Sequence, residues 1–200
     1  MKKFIALALT LVMALPLGLV ITFGSMARFK PLRYVTRVFV WIIRGTPLML
    51  QLFVVMYAPG LLLGTPMKSR MTAVLVAFVI NYAAYFSEIY RGGIESMPVG
   101  QYEAAKILGY NKVQTFFRII LPQVIKRILP SITNEVITLV KDTSLAFVVA
   151  VAEMFTIAKQ IASAQTTMMP FVIAAIFYYV FNLIVAVVMQ KVEKSMNYYR

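Results

Sequence analysis

The sequence predicts an all-α integral membrane protein with five transmembrane helices. Hydrophobic residues make up 61% of its 200 positions, charged residues only 14%, and the mean hydropathy is +0.82. Soluble domains are typically about 45–50% apolar and about 25% charged. Because one membrane-spanning helix needs about 20 residues, the chain has room for about five spans and no separate soluble domain. We therefore expect residues 1–200 to form a single transmembrane domain.

Five apolar runs give the predicted spans. They cover residues 4–26, 42–63, 72–90, 130–151 and 170–190. The first run follows Met1-Lys2-Lys3 and so also resembles a secretory signal peptide. We interpret it as a span, since it is longer than a typical signal-peptide core and more spans follow it. Pro47 lies near the start of the second run, where its missing N–H is tolerated.

The segments between the runs differ in character. Residues 28–44 form a basic stretch, and residues 91–129 are polar enough to lie outside the membrane while keeping helical periodicity. Within the latter we predict a short helix from about Gln101 that ends at Gly109. A second amphipathic piece follows and ends before Pro122. Residues 159–166 read as a short irregular connection to the fifth run.

The distribution of basic residues orients the spans. Twenty Lys and Arg residues against seven acidic ones give a net charge of +13, which in so apolar a chain indicates loop charge rather than nucleic-acid binding. One side holds Arg28, Lys30, Arg33, Arg37, Arg44, Arg91, Lys106, Lys112, Arg118, Lys126, Arg127, Lys191, Lys194 and Arg200. The other holds Lys2, Lys3, Lys68, Arg70 and Lys159. The richer side is predicted to be cytoplasmic, which places the N-terminus outside and the C-terminus inside.

Missing residue types exclude several chemistries. The chain has neither Cys nor His, so disulfides, thiolate or imidazole metal sites, Cys nucleophiles and Ser-His triads are excluded within it. It also lacks the G-x-x-x-x-G-K-[ST] phosphate loop. We expect no catalytic residue, metal or cofactor in this chain.

Three charges at the end of the third run have helical spacing. Glu88 and Arg91 are three residues apart, and Glu95 follows Arg91 by four, so one continuing helix would carry a Glu-Arg-Glu ladder. Ionisable residues in spans usually face protein or water. We favour structural ion pairs over a contact with substrate.

The fourth run carries a polar stripe. One helical face holds Asn134, Thr138 and Lys141, and the adjacent face holds Glu135, Thr138 and Asp142, continuing through Ala146, Ala150 and Glu153. Such a stripe suits either the lining of a translocation path or polar packing between helices. Lys141 and Asp142 are about 100° apart on a helix and cannot face each other, so either the helix breaks near them or each pairs with another helix.

Two charges near the external end are substrate candidates. Glu153 would pair with a cationic side chain or an α-ammonium group, and Lys159 with an α-carboxylate. Both positions also fit loop charges in water.

A spaced motif occurs between the third and fourth runs. Glu103-Ala104-Ala105, Gly109 and Ile119-x-Leu121-Pro122 lie within 20 residues and resemble the EAA loop of bacterial ATP-binding-cassette (ABC) importer permeases. Further stretches resemble the polar amino acid permeases of that group. They are Arg44-Gly45-Thr46-Pro47-Leu48 with Gln51, Glu88-x-x-Arg91-Gly92-Gly93-Ile94, Gly100-Gln101 and Lys141-Asp142-Thr143-Ser144-Leu145.

The resemblance implies the transmembrane subunit of an ATP-driven importer in the bacterial plasma (inner) membrane, which is not itself an enzyme. ATP and Mg²⁺ would bind partner ATPases, an external binding protein would deliver a polar amino acid, and a second, identical or homologous, permease would complete the path. The EAA loop, at about residues 95–129, would supply a cytoplasmic coupling helix. Its docking residues would be Glu103, Ala104, Ala105 and Gly109, and a turn at Ile119, Leu121 and Pro122 would anchor it.

Two other classes remain as alternatives. A secondary transporter or channel would favour inverted repeats, and the sequence contains no internal repeat. A role as a membrane scaffold would not explain why Lys141 and Asp142 lie within a span, where charged residues are costly.

Overall fold

The computed structural model describes residues 2–195, with side chains from residue 6 onwards. The predicted tail charge Arg200 and the side chains of Lys2 and Lys3 therefore lie outside the described residues. Nine α-helices occur in the described part: α1 Lys2–Ser25, α2 Lys30–Gly45, α3 Leu48–Leu63, α4 Arg70–Glu95, α5 Val99–Ile107, α6 Lys112–Thr115, α7 Leu121–Asp142, α8 Met154–Gln165 and α9 Met169–Ser195. No β-strand occurs between residues 2 and 195. The predicted all-α fold class is confirmed.

The structure has between three and five candidate membrane spans. Helices α1, α4 and α9 are each long and apolar enough to cross a membrane. Two bent pairs of helices pass the same test together: α2 with α3, which are bent by 109°, and Lys112–Val149 with α8, bent by 59°. The predicted number of five is reached when each bent pair is counted as one broken span.

Helix α4 forms the centre of the molecule. It packs against α1, α3 and α7, and its Phe78, Tyr82 and Phe86 are almost completely buried. Close approach to α1 depends on small residues, because a Cβ atom at Gly18 would lie 2.9 Å from the Cβ of Phe86. Thr22 joins the same two helices by donating a hydrogen bond to the Ser87 carbonyl over 3.1 Å. Small and hydroxyl residues are the usual means of packing membrane helices closely.

The second span begins later than predicted. Residues 28–44 are largely the amphipathic helix α2 rather than a loop, and the span proper is α3, which starts at Leu48 instead of residue 42. The helix breaks because Pro47 has no N–H to donate and forces the preceding residue out of the helical region. Thr46 accordingly has extended angles, φ −115° and ψ 143°.

The fourth span also differs from the prediction. Helix α7 starts at Leu121 and runs through Pro130 instead of beginning near it. It ends at Asp142, and a 3₁₀ segment, Thr143–Val149, follows and terminates at Ala150, which has a left-handed φ of 56°. The predicted stripe from Asp142 through Ala150 to Glu153 is therefore wrong as one helical face. Of the two alternatives for Lys141 and Asp142, a helix break is present.

Two predicted irregular regions are helical. Residues 154–165 form α8, because the buried Glu153 carboxylate caps its N-terminus by accepting from the Thr156 N–H over 2.9 Å. The expected turn at Ile119, Leu121 and Pro122 is absent, and a π-helical segment, Phe116–Ile120, leads directly into α7. Pro122 is the second residue of α7 and has no N–H to donate to the preceding π-helical segment, whereas the Leu121 N–H donates to the Phe116 carbonyl.

Candidate functional site

A cavity of about 430 Å³ opens where the break between α2 and α3 faces α4 and α7. Its lining combines charged, hydroxyl and amide side chains with backbone of the break. The lining residues are Arg44, Gly45, Thr46, Pro47, Leu48, Asn81, Tyr82, Tyr85, Glu135, Thr138 and Asp142. We call it the central cavity. It is the place where the polar residues of three predicted spans come together.

One face of α7 supplies the acidic side of the central cavity. Glu135, Thr138 and Asp142 follow one another at intervals of three and four residues and all line it. Asp142 is half-buried, and its Oδ2 accepts a hydrogen bond of 2.8 Å from the hydroxyl of Tyr82 on α4. The neighbouring face, with Asn134 and Lys141, is exposed and does not line the cavity.

Arg44 supplies the basic side of the central cavity. Its Nη1 lies 3.5 Å from Oε2 of Glu88, and its Cζ lies 5.2 Å from the ring centroid of Tyr85. Arg44 is in the last turn of α2, where the helix dipole favours a cation. Together with Glu135 and Asp142, which line the same cavity, Arg44 gives it partners for both a positive and a negative group on one small ligand.

The ion-pair ladder expected on α4 is present. Arg91 donates to both carboxylate oxygens of Glu88, with Nε–Oε1 3.0 Å and Nη2–Oε2 2.6 Å, and to Oε2 of Glu95 over 2.6 Å. Glu88 thus contacts Arg91 on its own helix and Arg44 on α2. The ladder fixes the end of α2 against α4, beside the central cavity.

A chain of amide groups holds the break between α2 and α3. Gln51 on α3 reaches back across it, and its Nε2 lies 2.7 Å from the Ile43 carbonyl and 2.9 Å from Oγ1 of Thr46. Asn81 on α4 completes the chain by donating to Oε1 of Gln51 over 3.0 Å. These bonds satisfy a carbonyl that the interrupted helix leaves without an N–H partner. The shape of the cavity wall is therefore fixed by side-chain hydrogen bonds.

The two external substrate candidates lie outside the central cavity. Glu153 is buried, which contradicts its interpretation as a loop charge in water, and its Oε2 accepts from the Tyr178 hydroxyl over 3.0 Å. Both of its carboxylate oxygens therefore have donors within the chain, because Oε1 caps α8. Lys159 is an exposed residue of α8, with its Nζ 5.6 Å from the ring centroid of Phe147.

The segment between α4 and α7 presents an exposed surface. On α5, Glu103 and Ala104 are exposed, whereas Ala105 is buried against the rest of the chain. Of the three small docking residues predicted, Ala104 and Gly109 are thus accessible and Ala105 is not. Gly109 has a φ of +78°, which only glycine adopts readily, and it allows the chain to turn out of α5. We call residues 97–120 the coupling segment.

Hydrogen bonds join the coupling segment to α7. Gln123 Nε2 donates to the Ile119 carbonyl over 2.8 Å and lies 3.3 Å from Oε1 of Gln101. Just before the segment, the Ser96 carbonyl at the end of α4 accepts from Arg127 of α7 over 2.7 Å. The coupling segment is therefore anchored to α7, the helix that carries the acidic side of the central cavity.

Sequence reasoning gives no role in this site to Tyr82 or Arg44. The Tyr82 ring carries little polar signal, although a Tyr hydroxyl in a span usually needs a partner. Arg44 belongs to the basic stretch and to a permease-like motif, and only the break at Thr46-Pro47 brings it to the cavity. Their spacing of three residues places Glu135 and Thr138 on one face of α7, but nothing in the sequence indicates which helix packs against that face.

Known proteins match this chain over almost its whole length. The sequence profile of the binding-protein-dependent transport system inner membrane components matches residues 14–198. The L-cystine transport system permease protein TcyB of Bacillus subtilis (strain 168) is 35% identical over 193 residues, covering 96% of this chain and 82% of that protein. The octopine transport system permease protein OccM of Rhizobium radiobacter is 37% identical over 195 residues, covering 91% and 80%.

Solved structures give the same result. An amino acid ABC transporter with histidines matches with a TM-score of 0.87 and 31% identity, covering 96% of this chain and 90% of that one. The MetNI methionine ABC transporter matches with a TM-score of 0.76 at 16% identity, covering 98% and 91%, a likeness that concerns the fold alone.

Proposed function

Because this chain belongs to the family of binding-protein-dependent transport system inner membrane components, we propose that its central cavity lies on the translocation path for a polar amino acid. The chain is a permease subunit of an amino acid ABC importer, a transporter component rather than an enzyme. Membership implies ATPase and binding-protein partners in general. The roles of individual residues, the second permease and the orientation of the termini are our proposals.

The observation that carries the proposal is that charges of both signs line the central cavity. An amino acid has an α-ammonium and an α-carboxylate group, and the cavity is lined by Glu135 and Asp142 of α7 and by Arg44 of α2. Charge-assisted hydrogen bonds to such groups are about twice as strong as neutral ones. Thr138 and Asn81 add neutral hydrogen-bonding groups suited to a polar side chain. Of the candidates predicted from sequence, Thr138 and Asp142 keep the path role, whereas Asn134, Lys141, Glu153 and Lys159 lie elsewhere.

We further propose that the coupling segment binds a cytoplasmic ATPase. Glu103, Ala104 and Gly109 are among its exposed residues, and the bonds from Gln123 of α7 pass its movement to the cavity wall. Mg²⁺ and ATP would be held by the ATPase, and an identical or homologous permease would close the path. The basic residues of α2 and of the coupling segment support a cytoplasmic position for both, in the bacterial inner membrane, with the N-terminus outside.

Replacing Asp142 tests the path directly. Asp142→Asn keeps an acceptor for Tyr82 but removes the charge, and a hydrogen bond to a charged group is worth about 1.5–3 kcal/mol. We expect ATP-driven uptake, in vesicles containing the ATPase and the binding protein, to fall at least about tenfold. The exposed neighbour Lys141→Gln is the control and should retain uptake. Equal uptake by the two variants would contradict the path assignment, and uptake driven by an ion gradient without ATPase would favour a secondary transporter.

A further inference from the structure

Helix α2 has three distinct sides. Thr36, Val40 and Ile43 form one side and are the least exposed residues of the helix together with Arg33 and Val38. This side packs on α1 and α4, and a Cβ atom at Gly24 of α1 would lie 2.9 Å from Oγ1 of Thr36. The helix is thus anchored along one edge. The residues of its other two sides are exposed, apart from Arg33 and Val38, which are half-buried. Arg37 Nε also donates a hydrogen bond to the Ser25 carbonyl at the end of α1 over 3.3 Å.

The two remaining sides of α2 are opposite in chemistry. The basic stripe follows intervals of three and four residues, and so does the apolar stripe, so each keeps to one face of the helix. The basic stripe consists of Lys30, Arg33 and Arg37, and the apolar stripe of Leu32, Val35, Phe39 and Ile42. All four apolar residues are exposed, Val35 by 64%.

The basic stripe has no acidic partner within this part of the chain. The sequence contains no Asp or Glu before Glu88, and that carboxylate is bound to Arg44 and Arg91. Among residues 6–195, no carboxylate lies within ion-pair distance of Lys30, Arg33 or Arg37. With Arg28 just before the helix, four positive charges fall within residues 28–37.

The direction of α2 places it along a membrane surface. It meets α3 at 109°, close to a right angle, and α3 contains no charged residue over its 16 positions. If α3 crosses the bilayer, α2 lies roughly parallel to its surface. A helix that joins a basic face to an exposed apolar face is suited to that position. Trp41, which is 83% exposed, and Tyr34, 71% exposed, are the residue types that occupy the headgroup level.

We propose that α2 is a binding surface for anionic phospholipids, with the apolar stripe in the acyl boundary and the basic stripe attracting the headgroups. Charge selects this occupant over a second copy of the chain. A symmetric contact between two copies would bring the same basic stripe against itself, with no carboxylate before Glu88 to offset it. A bilayer rich in anionic lipid supplies acyl chains for the apolar stripe and negative headgroups for the basic stripe. Bound lipid would hold α2 in place and so position Arg44 at the central cavity.

The chain contains its own probe for this surface. Trp41 is its single tryptophan, so intrinsic tryptophan fluorescence reports on α2 alone. The full chain is reconstituted, with no other protein, in lipid vesicles that contain phosphatidylglycerol and phosphatidylcholine in fixed proportion, with bromine carried either by one lipid or by the other. Brominated lipid quenches a tryptophan that it touches. Quenching at equal mole fractions therefore compares the two lipids at α2.

We expect brominated phosphatidylglycerol to quench Trp41 more strongly than brominated phosphatidylcholine. One basic side chain near an anionic surface favours binding to that surface about fivefold, so the difference in quenching between the two lipids should be readily measurable. It should shrink in about 1 M salt, where the screening length falls to about 3 Å. The variant K30Q/R33Q/R37Q should lose most of the difference. The matched variant K68Q/K191Q/K194Q, which removes three charges elsewhere, should keep it.

Two results would overturn the proposal. Equal quenching by both lipids would show that α2 meets the bilayer without selecting anionic headgroups. Absence of quenching by either would show that protein, rather than lipid, covers this surface. The measurement needs neither the ATPase nor uptake, so its outcome is independent of the proposed transport function.

Discussion

The substitution Gly93→Ala is expected to destabilise the protein by about 1–3 kcal/mol, the usual effect of overpacking a filled interior. Gly93 lies on α4 where α7 crosses it, and an added Cβ would overlap the Cγ2 atom of Ile128. The neighbouring Val124 is also buried, so the side chains have little room to move. A lower midpoint in thermal unfolding of the detergent-solubilised chain measures the effect.

The adjacent glycine provides a matched control. A Cβ atom at Gly92 would meet nothing within 4 Å, so Gly92→Ala should be neutral or stabilising by up to about 1 kcal/mol through helix propensity. Combining Gly93→Ala with Ile128→Ala restores space at the crossing and should recover part of the lost stability relative to Ile128→Ala alone. Equal midpoints for the Gly92 and Gly93 variants would contradict the close contact of α4 and α7.

The second large effect is expected at Glu103, where Glu103→Lys should abolish ATPase association and reduce ATP-driven uptake at least tenfold. Its side chain is exposed, and in the described part of the chain no basic group forms an ion pair with it. Reversal of its charge should therefore leave the fold intact while disrupting a partner's contact, because like charges across an interface cost several kcal/mol. Co-purification with the ATPase measures association.

A reversed charge at the other end of the molecule serves as control. Lys68 is exposed before α4, in the part that we place outside the cell, and Lys68→Glu should leave ATPase association unchanged. Both variants should elute as folded protein with the wild-type thermal midpoint. Retained association in Glu103→Lys would remove Glu103 from the docking surface, and its loss in both would indicate a general effect of charge.

A continuous helix connects the coupling segment to the central cavity. Gln123 and Arg127 of α7 bond to the coupling segment and to the end of α4. On the same helix, Glu135 and Asp142 line the cavity. The distance from Gln123 to Asp142 is about 29 Å at 1.5 Å per residue. Pro130 lies between these two groups of residues and removes one helix hydrogen bond, so it is the position at which α7 would bend.

The apolar span segments and the ladder on α4 could be predicted from sequence because each depends on local patterns. Apolar length gives the spans, and spacing of three and four residues brings Arg91 to Glu88 and Glu95. The burial of Glu153 could not be read in the same way. Its bond from the Thr156 N–H is local, but its second partner, the Tyr178 hydroxyl, is brought to it only by the packing of α9.

The central cavity was only partly predictable, because contacts between helices depend on tertiary packing rather than on local spacing. The spacing of polar residues identifies the polar face of α7. The hydrogen bond from Tyr82 to Asp142 on that face depends on the packing of α4 against α7. The path and packing roles that the sequence left open both have support there, since Asp142 lines the cavity and also bonds to a second helix. Likewise, Arg44 reaches the cavity only because Pro47 breaks the helix.

Cross-linking from position 104 tests the central claim, that the coupling segment binds a cytoplasmic ATPase. The chain has no cysteine, so a single introduced cysteine is its only thiol, and a reagent joining thiols to amines can capture any neighbouring protein. Ala104→Cys in the intact transporter should give an adduct with the ATPase. The buried neighbour Ala105→Cys and the exposed Ala164→Cys on α8 should not. If Ala104→Cys gives no such adduct and is labelled from outside the cell by a membrane-impermeant maleimide, the account is contradicted.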